Sequence, residues 1–387
     1  MISWEPTPPN CAVRGLAVLL GREEWRAHPD GERIRQLLRP QLDSTDDTVR
    51  MLASMALTLI VESGNLTDDL CNRLLREKNA SVIEVLTRIL AAHAPSDPEG
   101  VDTCLGHLAA NPTWPGLAGR REDRSTPPRK RQSEISDLLI QVLLYLVLMR
   151  AEPFASGLIR AWQENPQEYP ATLGRLVAWT RPYLNPPGES ARAAQTRAFS
   201  MFASLANSSA TIATSAQEML ASGPQIGDEL RQDLDAAVWI AHAIAREIYH
   251  ASGAFRTPQQ KTQPDDRVVS SSFCSLTLPI IEKLADVRIA EVSHPLVQTL
   301  AFLSQREPQR AFLAVAKIVI PGTGYAYEQL GEGEVLDLVD LYLAERRNII
   351  LNEPECLSGL RRILETFVAA GSDRAIRRVQ DLAELFT

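Results

Sequence analysis

The sequence has few aromatic side chains, 6% in all, few stretches that alternate apolar with polar residues, and no long hydrophobic run. Little period-two patterning argues against a protein built on β-sheets. A chain in which Ala and Leu dominate instead favours helices packed closely on each other. The most apolar stretch, Leu138 to Met149, reads LLIQVLLYLVLM and falls short of the about 20 residues that span a bilayer. Cysteine is scarce too. Cys11, Cys71, Cys104, Cys274 and Cys356 lie far apart, are odd in number and form no C-x-x-C pair, a pattern of free, mostly buried thiols in a reducing compartment rather than of a disulfide framework or zinc site. The opening MISWEPTPPN has neither a basic start nor an apolar core, so no signal peptide is expected and the cytoplasm is the expected compartment.

Catalytic signatures are missing as well. No G-x-x-x-x-G-K-[ST] phosphate cradle and no G-x-S-x-G elbow occurs, which argues against a P-loop ATPase and an α/β-hydrolase. The glycine cluster PGTGYAYEQLGEGE at Pro321 to Glu334 contains no lysine and follows no strand; it reads as an interhelical loop whose Tyr325 and Tyr327 can meet a partner. Glu247 with His250 and Glu291 with His294 repeat the carboxylate-x-x-histidine spacing of di-iron bundles. Pro295 is expected to push His294 out of helical geometry, and matching second carboxylates are not evident, so both pairs read as surface and capping residues. No metal or cofactor is expected.

What remains is a long succession of helical patterns. The 387 residues allow two or three domains or one continuous array. A net charge of −8 with a pI near 5.4 argues against wholesale wrapping of nucleic acid. Leu138 to Met149 predicts a helix of about 15 residues buried on several sides, with Ser133 or Ser136 as its N-cap and the Glu152-Pro153 step closing it. An acidic residue before proline predicts helix starts at Pro153, Pro308 and Pro354, where proline loses nothing and the carboxylate faces the positive end of the helix dipole.

From Gly31 to about Ala110 the chain repeats at a period of 33 residues. Leu42, Leu75 and Leu108 fall at equivalent places, as do Leu38, Cys71 and Cys104, while Val49 matches Val82 and Leu57 matches Leu90. The unit IRQLLRPQLDSTDDTVRMLASMALTLI resembles a HEAT repeat, with Leu38 and Leu42 on a first helix, Asp43 at the turn, Val49 and Arg50 opening a second, and Ala53, Ala56, Leu57 and Ile60 on its inner face. The next copy keeps Leu74, Leu75, Val82, Leu86 and Leu90 but has Ile83 in place of the arginine. The resemblance covers about 80 residues and implies stacked units, each burying an apolar face it cannot bury alone. The expected fold is all-α, a HEAT/armadillo-like α-solenoid of stacked antiparallel helix hairpins. HEAT-like repeats are expected over residues 1–119, central hairpins over 132–250, and C-terminal helical repeats over 273–387, with 112–131 and 251–272 as loops or linkers. Within the central part, Ala191 to Leu205 and Ile212 to Leu220 read as two separate helices.

Basic clusters are the clearest polar signal. Arg129, Lys130 and Arg131 fall in the Pro-broken loop, behind Arg120, Arg121 and Arg124; Arg361, Arg362, Arg374, Arg377 and Arg378 lie on the last two helices. These eight, Arg129 to Arg131 and the five C-terminal arginines, are the candidate partner-binding residues, against a plainer reading as solvated faces and dipole compensation. The C-terminal text, HPLVQTLAFLSQREPQRAFLAVAKIVIPG and then LRRILETFVAAGSDRAIRRVQDLAELF, is similar in texture to the helical tails of bacterial STAND-type NTPases, which implies a helical part or partner subunit of such a system. The expected role is a non-enzymatic scaffold or recognition module for a protein partner. A nucleic-acid-binding array using the basic patches stays open, with HEAT-like DNA glycosylases as a precedent for contact with a phosphate backbone; a cryptic hydrolase or glycosylase stays open as well, though no motif matches the catalytic residues of those glycosylases.

Overall fold

A computed structural model of the chain describes residues 9–26, 28–111, 130–186, 191–222, 227–255, 271–319 and 329–383. Among these residues there is no strand, and the expectation of an all-α protein holds. Contacts divide the chain into two compact units, Met1–Arg160 and Ala161–Thr387. No single described helix is long and apolar enough to cross a membrane.

In the first unit the helices are α1 (Pro9–Gly21), α2 (Glu23–Arg26), α3 (Pro29–Leu38), α4 (Asp47–Ser54), α5 (Leu57–Ile60), α6 (Leu66–Arg76), α7 (Ala80–His93), α8 (Pro98–Ala110), α9 (Lys130–Tyr145) and the start of α10 (Pro153–Glu164). α6 packs on α8, while α4 packs on α7 and α7 on α9. The residues spaced by 33 enter this core together: Leu38, Cys71 and Cys104, Val49 and Val82, and Leu57 and Leu90 are all buried. Helix starts follow the same spacing. Asp46 takes the backbone N–H groups of Thr48 and Val49 at 2.8 and 3.2 Å, and Asn79 takes those of Ser81 and Val82 at 2.9 and 3.3 Å. Both caps have φ −80°, the extended N-cap geometry that satisfies two otherwise unpaired donors.

The apolar run at Leu138 to Met149 is a core helix as expected, with Leu139, Ile140, Val142, Leu143, Leu144, Leu146 and Leu148 buried. Its ends differ from the expectation. α9 begins at Lys130, so Lys130 and Arg131 belong to a helix rather than to the loop assigned to them. Pro127 and Pro128 stand just before it in the sequence, and a helix can begin directly after such residues without a serine cap. At its other end the helix widens into a π-turn over Leu146–Arg150 and stops at Ala151, which adopts a left-handed φ of 61°.

The second unit holds the end of α10, then α11 (Pro170–Leu184), α12 (Arg192–Ser222), α13 (Asp228–Ser252), α14 (Ser271–Leu284), α15 (Ala290–Leu303), α16 (Pro308–Ile318), α17 (Gln329–Glu345), α18 (Arg347–Asn352), α19 (Pro354–Ala369) and α20 (Asp373–Asp381). α13 lies at the centre of its first half, against α11, α12 and α15, and presents Ala237, Ile240, Ala241, Ile244 and Ile248 to them. Helix starts at Pro153, Pro308 and Pro354 are as expected, and Ser372 caps α20 by accepting from the Ala375 N–H at 3.1 Å.

Three expectations fail here. The two helices read at Ala191 to Leu205 and Ile212 to Leu220 are one helix of 31 residues. Asn207, Ser208 and Ser209 look like a break in the sequence, but Ala206, Ser209, Ala210, Ala213 and Ala216 are buried, so tertiary packing carries the helix through. Pro295 does not displace His294, because α15 runs through it with Val292, Leu296, Val297, Leu300 and Leu303 buried on either side. Finally, the end of the glycine cluster, from Gln329 to Glu334, belongs to α17. Tyr325 and Tyr327 lie outside the described residues.

Candidate functional site

A dense polar assembly lies where α4, α6 and α7 meet in the first unit. Arg50, one residue beyond Val49 on α4, reaches across to the end of α6. Its Nε lies 2.7 Å from Glu77 Oε2, and its Nη2 lies 3.0 Å from Glu77 Oε1 and 2.5 Å from Asp47 Oδ1. Its Nη1 donates to the Ser44 carbonyl at 2.6 Å. The Glu77 side chain is 8% exposed. Burial pushes its carboxyl up, but the Arg50 guanidinium and the N–H groups of Asn79 and Lys78, at 2.8 and 2.9 Å, outweigh burial and hold it below the usual carboxylate range. Arg50 is held further up in turn, chiefly by the same hydrogen bond to Glu77.

Arg73 repeats the arrangement from α6. It donates to Asp69 at 2.6 Å, to the Leu42 carbonyl at 3.2 Å and to Asp43 at 3.1 Å. Asn79 Nδ2 donates to Asp47 Oδ2 at 2.7 Å, joining the two capped helix starts. These bonds run between stretches about 30 residues apart in sequence and fix the turn after Leu42 against the end of α6. Above them opens a cleft of about 470 Å³, floored by Leu42 and Val82 and edged by Thr45, Asn72, Arg76 and Lys78. Arg76 and Lys78 are exposed and have no carboxylate partner among the described residues. The cleft thus has a neutralised, rigid floor and two unpaired cations at its rim.

The sequence-derived candidates lie elsewhere. Arg129 is outside the described residues, as are Arg120, Arg121 and Arg124; Lys130 and Arg131 open α9. Arg374 sits on α20 with its Nη2 2.7 Å from both Asp337 and Asp340 of α17. Arg378 lies 2.7 Å from Asp340 and 3.3 Å from Asp381. The Arg378 contact to Asp340 Oδ1 is close enough for an ion pair but not aligned as a hydrogen bond. Burial pushes the Asp340 carboxyl up, and the two arginines more than reverse this, leaving it below its ordinary value. Arg361 pairs with Glu365 one turn on, at 2.8 Å. Arg362 and Arg377 are exposed, without a carboxylate partner among the described residues. The structure therefore gathers Arg374 and Arg378 into a neutralised contact between helices.

The carboxylates and histidines of the two spaced pairs take other partners, and Glu247 is not the surface residue expected of it. Glu247 is fully buried and is taken by Arg181 and Arg246, whereas His250 packs against Tyr249 and Phe255. His294 lies 3.4 Å from Glu334. Among the described residues no three His, Cys, Asp or Glu side chains converge as metal ligands.

Sequence reasoning did not single out Asp102 or the neighbourhood of Cys71. Asp102, 3% exposed on α8, accepts from the N–H groups of Phe154 and Ala155 at 2.9 and 2.8 Å and so caps α10 from a distance. A carboxylate in the midst of Val101, Cys104 and Leu105 was the available signal. No family model matches the chain, and no curated protein matches it.

Proposed function

We propose that the chain is a non-enzymatic recognition module of HEAT/armadillo type, whose first unit takes an acidic segment of a protein partner into the cleft between the turn after Leu42 and the end of α6. The observation that carries this reading is the cleft's rim, where Arg76 and Lys78 stand exposed and unpaired over a floor whose other cations are all satisfied. A pre-organised floor lowers the ordering cost of binding, and unpaired rim charges steer an acidic partner. The 33-residue spacing of the Asp46 and Asn79 caps, with Arg50 at the position expected of a HEAT arginine, supports the repeat architecture. A nucleic-acid reading loses support from the C-terminal arginines, since Arg374 and Arg378 are already held by aspartates.

The test is affinity capture of the full chain from its native host, compared with the double variant Arg76→Glu, Lys78→Glu. The expected result is a stoichiometric protein partner held by the native chain and lost by the variant, with an unchanged melting temperature because both sites are exposed. A partner held equally by both would move the site off the cleft. Pure chain that hydrolyses ATP, or that binds duplex DNA at low salt with affinity falling steeply as salt rises, would overturn the reading.

A further inference from the structure

Two cysteines lie where α6 packs on α8. Cys71 and Cys104 are 33 residues apart at matching positions, and they are 8% and 2% exposed. Cys71 Sγ lies 4.0 Å from the Cys104 carbonyl and 3.8 Å from Nδ1 of His107, one turn beyond Cys104 on α8. His107 is exposed, so the imidazole marks the side from which solvent reaches the sulfur. As a thiol, Cys71 donates to the Cys104 carbonyl; as a thiolate it accepts from the Cys104 thiol. That second hydrogen bond is the main reason its pKa is drawn down to about 6; burial opposes it, and His107 adds to it both as a hydrogen-bond partner and through its charge. The Cys104 thiol is pushed up by the same neighbour and by burial, while the Asp68 carboxylate opposes ionisation at both sulfurs.

We propose that Cys71 is a peroxide-reactive thiol whose sulfenic acid is resolved by Cys104, closing a reversible disulfide between α6 and α8. In the first step the Cys71 thiolate attacks hydrogen peroxide: a sulfur–oxygen bond forms, the oxygen–oxygen bond breaks, and hydroxide leaves to take a proton. In the second step the Cys104 sulfur attacks the sulfenic sulfur, the thiol proton goes to the departing oxygen, and water leaves. Overall two thiols and one peroxide give one disulfide and two waters, and a dithiol reverses the change. The arrangement combines a thiolate-stabilising neighbourhood with a second cysteine on the facing helix, two features found in thiol sensors. The other cysteines lack them. Cys274 and Cys356 are buried and held protonated by burial, and Cys11 is exposed with no thiol or imidazole beside it among the described residues.

The experiment treats the full native chain with about one equivalent of hydrogen peroxide, quenches with an alkylating agent and maps non-reduced peptides by mass spectrometry. A Cys71–Cys104 cross-linked pair, two hydrogens lighter and cleaved by dithiothreitol, is expected in the native sequence alone, so the central result does not depend on a variant that folds. Cys104→Ser should leave Cys71 as a sulfenic acid that a cyclic 1,3-diketone labels. His107→Gln, at an exposed position, should slow cross-linking and move its pH dependence upward by reducing the thiolate fraction. Oxidation of Cys11 with Cys71 still reduced, or Cys71 oxidation that never reaches Cys104, would overturn the proposal.

Discussion

The carboxylate of Asp102 joins α8 to α10 through two backbone hydrogen bonds made almost out of reach of water. Asp102→Ala leaves two N–H groups at the start of α10 without their acceptor and should cost about 1–3 kcal/mol. A lower urea midpoint with an unchanged slope is the expected signature, and an unchanged midpoint would mean that water replaces the carboxylate. Glu77 ties acid stability to Arg50. Its folded pKa lies below the ordinary 4.5, so its contribution is fully present above about pH 4.5 and is lost as pH falls through the depressed value. Arg50→Met should cost about 2 kcal/mol near pH 7, because Glu77 is left buried with only backbone donors. The gap between variant and native chain should narrow in urea melts at pH 4 and again at pH 3. A gap that is constant with pH would assign Arg50's role to its bond with the Ser44 carbonyl instead. At the C-terminal end, Arg374→Glu would repel Asp337 and Asp340 and loosen α20 from α17, so a partner lost by that variant says nothing about binding; Arg362 and Arg377 are the informative positions there.

Among the elements, α9 and the α16–α19 pair make the sharpest predictions. Leu143 is fully buried in α9, and Leu143→Asp should cost on the order of 4 kcal/mol by placing an unpaired charge among apolar neighbours. A cooperative melt at an unchanged temperature would show that α9 is dispensable. At Gly359 a Cβ atom would lie 2.9 Å from the Ala316 Cβ, with no flexible side chain able to give way. Gly359→Val should therefore force α19 from α16 and cost about 2–3 kcal/mol, visible as a drop in melting temperature. How much of this was legible depends on what each signal is made of. Helix identity was, because apolar periodicity and proline starts are local: α9, α10, α16 and α19 begin or bury as their residues indicate. Continuity was not, because it is decided by neighbours. Asn207 to Ser209 and Pro295 are both weak helix formers, and both lie within helices that are buried around them. The cleft was half legible: the 33-residue period placed Asp43 and Arg50 in their units, but the meeting of Arg50 with Glu77, and of Cys71 with His107, needs two elements in register that no single stretch encodes.

For the molecule as a whole, charge and polypeptide chemistry set the remaining expectations. With a net charge of −8, any acidic partner must approach against the chain's overall field and be drawn by local cations, so its association rate should respond to rim substitutions more than its dissociation rate. Stopped-flow mixing of the captured partner with native and Arg76→Glu chains would distinguish the two. The described structure contains a further chain-wide device. Seven of its helices, α1, α3, α8, α10, α11, α16 and α19, begin on a proline. The Pro170 ring is buried in the core, but at exposed starts the rings do little in the folded state that alanine would not do, since the N–H they lack is one a helix start leaves unpaired in any case. Their effect falls on the disordered chain, where each fixed φ removes conformations that folding would otherwise have to surrender. Pro354, exposed at the start of α19, is the clean place to see it: Pro354→Ala should leave every contact intact and still lower unfolding free energy by about 0.4–1 kcal/mol. Repeated at the other exposed starts, this is a share of the protein's persistence that resides in the random coil and that no inspection of its packed helices would reveal.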